Sequence, residues 1–234
     1  MAPGHGQYLN SLSPETVASA SGVSKTTRNS VAIMARTLIP VLLAASLQVV
    51  GAVPPNIPST SEAQTQLEAL TVAEAGSGDD YDRDLFPHWI SQGNSCDTRD
   101  VVLIRDGSDV ETGSGCSIES GTWHSEYDGE DWTETGDVDI DHVVPLANAW
   151  RSGASEWTTD ERQAFANDLD NPQLLAVTDN VNQEKGDAGP EEWLPPLDSY
   201  YCTYGKMWTA IKYTYGLTVT DAEKSALEDL LATC

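Results

Sequence analysis

Apolar and polar positions alternate most cleanly over Val138-Asp139-Ile140-Asp141-His142-Val143, which predicts a strand entering the core with neighbouring side chains on opposite faces. Leu174-Leu175-Ala176-Val177 is a continuous apolar run and reads as a buried strand. Val101-Val102-Leu103-Ile104, β-branched and bounded by Asp100 and Asp106, reads as a further strand, and Gly121-Thr122-Trp123 as another. Spacings of three and four predict helices over Tyr200 to Tyr215 and from Thr220 through Leu231. Shorter helices are expected over Ala147 to Arg151, from Thr159 toward Phe165 and Leu169, and through Asn182 and Lys185 to a stop near Gly186. No internal repeat is evident. The expected fold class is α+β.

Upstream, the pattern changes. Thr37 to Val50 is an apolar run preceded by Arg36 and followed by Val50-Gly51-Ala52, which reads as a secretory signal with a small-residue cleavage site after Ala52. Pro40 and Gln48 interrupt it, and it is shorter than the roughly 20 residues of a spanning helix, so no membrane anchor is expected in the mature form. Met34-Ala35-Arg36 would make an ordinary signal start, leaving residues 1–33 as an N-terminal extension. From Val53 to Asp80 the chain is rich in Pro, Ser, Thr and Gly with one weak helical patch around Leu67 to Val72, and reads as a disordered linker or propeptide. The expected organisation is therefore an extension and signal over 1–52, a linker over 53–80 and one folded domain over 81–234.

Four cysteines, Cys96, Cys116, Cys202 and Cys234, lie beyond the signal. An even number in a secreted chain predicts two disulfides; proximity favours Cys96 with Cys116 and Cys202 with Cys234, although three pairings are open. The absence of a Cys-x-x-Cys pair argues against zinc. A net charge of -25 argues against tight electrostatic gripping of nucleic acid, which needs a basic surface. It leaves room for an enzyme with weak substrate affinity whose positive charge is local, from a divalent cation and a few Arg or Lys. The acidic run from Glu126 to Asp137 lacks the ligand order of an EF-hand and reads as a solvated loop.

The chemistry is concentrated in Asp141-His142 and in Asn180-Val181-Asn182-Gln183-Glu184-Lys185-Gly186-Asp187 some forty residues later. Phosphodiester hydrolysis needs an activated water, neutralisation of the phosphoryl oxygens and help for the leaving oxygen. An imidazole serves the first need and a cation on carboxylate and amide oxygens the other two. Competing readings are structural: His142 as a core histidine donating to a carbonyl, Asn182 or Asn180 as a helix cap, Lys185 as a phosphate contact or a partner of Asp187. His88 and His124 lie outside the motif and read as packing or surface residues.

The ordered series Asp-x-Asp-His-Val-Val-Pro-Leu, Leu-Leu-Ala-Val and Asn-Gln-x-Lys-Gly-Asp resembles the HNH, or ββα-metal, endonucleases, and most closely their secreted fungal and bacterial branch. The likeness extends to Ser152-Gly153-Ala154, Trp157, Phe165-Ala166-Asn167-Asp168, Trp193-Leu194-Pro195-Pro196 and Tyr201-Cys202-Thr203-Tyr204. It implies a ββα-metal core with additional short strands and C-terminal helices. It also implies His142 as general base, Asp141 and Asn182 as metal ligands, and Mg²⁺ or Mn²⁺ as cofactor. The middle family position, an Asn steadying the loop of the base, falls on Gln173 by spacing and on Asn171 by residue type. Arg83, Arg99 and Arg151 are candidate phosphate contacts, with pairing to carboxylates as the alternative. The expected substrate is DNA, with RNA as a further candidate, cut with little sequence preference. The rivals are a secreted acidic cation-binding protein with an inactive HNH-like fold and a nuclease toxin delivered to another cell.

Overall fold

The computed structural model describes residues 53–234, so the expected N-terminal extension and signal lie outside the described residues. In chain order the elements are α1 (Thr60–Ala69), β1 (Ser91–Gly93), β2 (Cys96–Asp97), α2 (Thr98–Asp106), β3 (Gly107–Thr112), β4 (Ile118–His124), β5 (Asp131–Trp132), β6 (Val138–His142), α3 (Leu146–Arg151), α4 (Thr159–Ala166), β7 (Leu174–Thr178), α5 (Asp179–Lys185), α6 (Tyr201–Thr214) and α7 (Asp221–Ala232). Three small antiparallel sheets, β1-β2, β3-β4-β5 and β6-β7, are packed among the helices, so the α+β expectation is met.

The β6-β7 pair organises the centre. Ile140 lies opposite Ala176 and His142 opposite Leu174. Val138, Ile140, Leu174 and Ala176 pack with Val102, Leu103 and Trp123 into the smaller core. Leu175 and Val177, on the other face, belong to the larger helical core. The outer edge of β7 is closed by α2, whose Asp106 carboxylate accepts from the Ala176 amide (2.9 Å) while Arg105 donates to the Leu174 carbonyl (2.6 Å). That leaves little free edge for another chain to pair with. Directly after β7 the chain turns into α5, which packs on both strands and stops at Gly186, where φ is +56°.

Two expectations are corrected. Val101 to Ile104 is not a strand but the middle of α2. Asp97 and Asp100 form a reciprocal capping box, and Thr98, Val102 and Asp106 fall on one buried helical face. The segment from Val53 to Asp80 is not a disordered linker. Ser59 caps α1, and Ala63, Leu67 and Leu70, spaced by four and three, are buried in the larger core beside α6 and α7. The chain then pairs with the segment before α7 through Ala73 N to Val219 O (2.9 Å) and Val219 N to Thr71 O (3.0 Å). Composition misled here because the polar residues of α1 outnumber a narrow apolar stripe.

The domain therefore extends upstream of Tyr81. Burying two Leu side chains contributes about 3 to 6 kcal/mol before the entropy of ordering the segment is subtracted. A chain beginning at Tyr81 is expected to be about 2 to 4 kcal/mol less stable in urea than one beginning at Val53. Equal denaturation midpoints and slopes for the two would show that α1 contributes nothing.

Cys96 is bonded to Cys116 and Cys202 to Cys234, each with Cα atoms 5.0 Å apart, which settles the pairing left open by the sequence. The first bridge ties β2 to the turn before β4, and the second ties the start of α6 to the end of the chain beyond α7.

Candidate active site

Alternation along β6 places Asp141 and His142 on opposite faces, as the strand pattern predicts, and both line one cleft of about 490 Å³. Arg83, Arg151, Asn182 and Gly186 line the same cleft.

His142 is buried, and its Nε2 lies 2.9 Å from the Ala166 carbonyl oxygen. A carbonyl only accepts, so Nε2 carries the proton and the neutral ring keeps a lone pair on Nδ1. Ala166 is the last residue of α4, where carbonyls lack partners within the helix, so its oxygen is free for this contact. Among the described residues Nδ1 has no hydrogen-bond partner, and it is not one of the buried polar atoms lacking one, so it opens on the cleft. The structural and catalytic readings of this histidine thus apply to different nitrogens. Burial pushes His142 down to about 3, against the weaker opposing effect of the Ala166 carbonyl.

The unfolded chain takes up that proton near pH 6.5, while the folded site refuses it until about pH 3. Unfolding therefore gains a proton between those values. The stability contributed by the neutral ring is complete above pH 6.5 and is lost as pH falls toward 3. Replacing His142 by Gln is expected to flatten the acid decline in unfolding free energy between about pH 6 and 4. Parallel pH profiles for variant and wild type would contradict the assignment.

Asp141 occupies the opposite face, buried against α5. Lys185 Nζ donates to both carboxylate oxygens (2.7 and 2.6 Å), and the Tyr127 hydroxyl adds a 2.6 Å bond to Oδ2. The same ammonium reaches the carbonyls of His142 (3.0 Å) and Val143 (3.1 Å), tying α5 to the end of β6. Burial raises the Asp141 carboxyl and lowers the Lys185 ammonium, and their mutual attraction opposes both shifts. Lys185 is thus a buried counter-ion of Asp141, neither a phosphate contact nor the partner of Asp187. Asp187 pairs instead with Arg151 at 2.7 Å.

Asn182 lies one turn before Lys185 on α5, and its Nδ2 donates to Asp139 Oδ2 at 3.2 Å. Asn182 and Asn180 both lie inside the helix, with Thr178 at the N-cap position, so neither caps it. The exposed Asn180 does not line the cleft. Gln173 is buried and brackets Val144, accepting from its amide (3.1 Å) and donating to its carbonyl (2.9 Å). It steadies the chain that leaves His142. Asn171 is engaged with Asp168 in a local turn (Nδ2 to Oδ2, 2.9 Å).

Arg99 donates to the carbonyls of Thr135 (3.0 Å) and Val138 (2.9 Å), bracing the start of β6 outside the cleft. Arg83 is exposed at the cleft and, among the described residues, has no ion-pair partner. His88 and His124 bond to the Phe86 carbonyl and to Asp131, respectively, away from the cleft.

Tyr127, Asp139 and the Ala166 carbonyl escaped the sequence reading. Asp139 was recoverable, since it lies two residues before Asp141 and shares its face. Tyr127 sits in the acidic loop and is placed by packing on Trp193, Tyr200 and Tyr204, which no local pattern announces.

The donors present suit a hard cation, because Asp139, Asp141 and Asn182 offer oxygens on the α5 face. Among the described residues Asp141 Oδ1 accepts only from Lys185 and retains a lone pair, as does the Asn182 amide oxygen. Two carboxylates against one ammonium leave one net negative charge, which suits weak holding of a hydrated ion. No cluster of three or more His, Cys, Asp or Glu fit to hold a metal occurs among the described residues.

Residues 97–230 match the family described as GmrSD restriction endonucleases, C-terminal domain. The chain belongs to this family. A protein of Arthroderma benhamiae named "Uncharacterized secreted protein" is 61% identical over 181 residues, covering 77% of this chain and 89% of that one. No solved structure matches. The family supports the resemblance to HNH endonucleases and a nuclease-type function, and the relative and the disulfides agree with the expected localisation: the GmrSD-family chain is secreted.

Proposed function

We propose that this chain is a metal-dependent endonuclease that hydrolyses the phosphodiester backbone of DNA, with RNA as a further candidate, with little sequence preference. The observation that carries the reading is the orientation of His142, a neutral imidazole with Nε2–H fixed on a carbonyl and Nδ1 open to a cleft beside Asp141 and Asn182. In this reading β6, β7 and α5 are the ββα-metal core.

His142 Nδ1 takes a proton from the attacking water. Arg83, which has no ion-pair partner among the described residues, offers its guanidinium to a phosphate at the cleft, while Arg151 is held by Asp187 and contributes chiefly to the cleft wall. Asp141 and Asn182, with Asp139 beside them, would hold Mg²⁺ or Mn²⁺. Such an ion, when bound, neutralises phosphoryl oxygens and stabilises the departing 3′-oxygen. Lys185 and Tyr127 fix the Asp141 carboxylate, and Gln173 fixes the turn after the base. The cleft walls carry no row of cations, consistent with local capture of one phosphate by a protein of net charge -25.

The test is cleavage of plasmid, single-stranded DNA and RNA by the secreted protein, with Mg²⁺, with Mn²⁺ and with chelator. Metal-dependent cutting that leaves 5′-phosphate and 3′-hydroxyl ends is expected. Retention of Mg²⁺ by the protein without cleavage of any of these substrates, across metals and pH, would instead favour the acidic cation-binding protein.

A further inference from the structure

Trp89 has φ of +56°, a left-handed backbone conformation that is strained for a bulky side chain. Its ring centroid lies 5.5 Å from that of His142, with the planes inclined by 30°. The surroundings explain how this conformation is maintained. Asn167, the residue after Ala166, accepts from the Ile90 amide (3.1 Å) and the Thr98 hydroxyl (2.7 Å), and donates to the carbonyls of Pro87 and Gln163 (2.7 Å each). All four hydrogen-bonding positions of one buried amide are used, and two of them grip the chain on either side of Trp89. Thr98 adds a second hold, its amide donating to the Ile90 carbonyl at 3.1 Å.

The end of α4 therefore acts on His142 twice. The Ala166 carbonyl fixes the Nε2–H edge, and the adjacent Asn167 forces a tryptophan against the face of the same ring. We propose that Trp89, locked by Asn167, is a positioning residue that restricts the His142 imidazole to the orientation presenting Nδ1 to the cleft. Trp89 does not line the cleft, so it acts through His142 and not on substrate. The role in turnover rests on the proposed nuclease reading; the role in orienting the ring does not.

The test compares Trp89→Gly, Trp89→Phe and wild type by DNA-cleavage kinetics with Mg²⁺ and by ¹⁵N NMR of the His142 ring in metal-free protein. Glycine tolerates the left-handed backbone, so Trp89→Gly is expected to fold with the ring released. Its kcat should fall about 10- to 100-fold with KM nearly unchanged. The ¹⁵N signature of a fixed Nε2–H tautomer should give way to averaged signals, and Trp89→Phe should restore both most of kcat and the fixed signature. An unchanged tautomer signature in Trp89→Gly overturns the proposal, as does a rise in KM at constant kcat, which would make Trp89 a substrate contact. If Trp89→Gly does not fold, Asn167→Asp decides by the same two readouts, and wild-type signals and kcat in that variant sink the idea. Averaged His142 signals in Trp89→Gly, together with no cleavage by wild type, would refute the nuclease reading and leave the positioning role standing.

Discussion

Replacing His142 by alanine is expected to lower the rate of metal-dependent DNA cleavage by about 10² to 10⁴, the usual contribution of a positioned general base. The loss should fall on kcat, because the ring is buried along its Nε2 edge and offers substrate only Nδ1. The alanine variant also leaves the Ala166 carbonyl without its donor and opens a cavity beside Trp89, so some destabilisation accompanies it. His142→Gln retains much of the side-chain volume and an amide donor, and should be as inactive while folding better. Single-turnover cleavage of a short labelled duplex, read beside the urea midpoint of each variant, separates the two effects. Wild-type rates in the glutamine variant would remove His142 from the chemistry altogether.

The largest effect on stability is expected from Lys185→Met. The ammonium is the sole cation bonded to the buried Asp141 carboxylate among the described residues, and removing one member of such a pair typically costs about 3 to 5 kcal/mol. The carboxylate left behind becomes easier to neutralise, so the defect should lessen as pH falls. Replacing both groups, as Asp141→Leu with Lys185→Met, should recover much of the loss in stability without recovering cleavage. Urea denaturation at two pH values measures all three chains. A single-variant loss below about 1 kcal/mol would mean that solvent reaches the pair and shares its charge. Because Lys185 already compensates Asp141, the fold does not need a metal to neutralise this site.

Much of the site was legible because its elements announce themselves locally. The alternation over β6 separates Asp141 from His142, and the apolar run of β7 followed by a helix places Asn182 and Lys185 on one side of the pair. Gln173, which spacing singled out, brackets Val144 beside the base, while Asn171, the better match by residue type, bonds within a neighbouring turn. The hidden parts are partners brought from a distance: Lys185 meets Asp141 across 44 residues, and Ala166 meets His142 across 24. A carbonyl leaves no mark in a sequence, and a tryptophan in a left-handed turn looks like any other aromatic. The strand expected at Val101 failed because β-branched composition was weighed above the Asp97 and Asp100 caps. The linker expected before Tyr81 failed because three apolar residues are few by count yet sufficient when they share one helical stripe.

The bridges at Cys96–Cys116 and Cys202–Cys234 close segments of 20 and 32 residues, and thiols join in this way only where the surroundings are oxidising. In a reducing cytosol the same chain would carry four open thiols and forgo about 3 kcal/mol or more of restraint at each bridge. Its full rigidity therefore arrives with export, after the chain has left the compartment that holds its producer's own nucleic acids. On the proposed nuclease reading, oxidation separates the fully braced form in time from the producing cell's own nucleic acids.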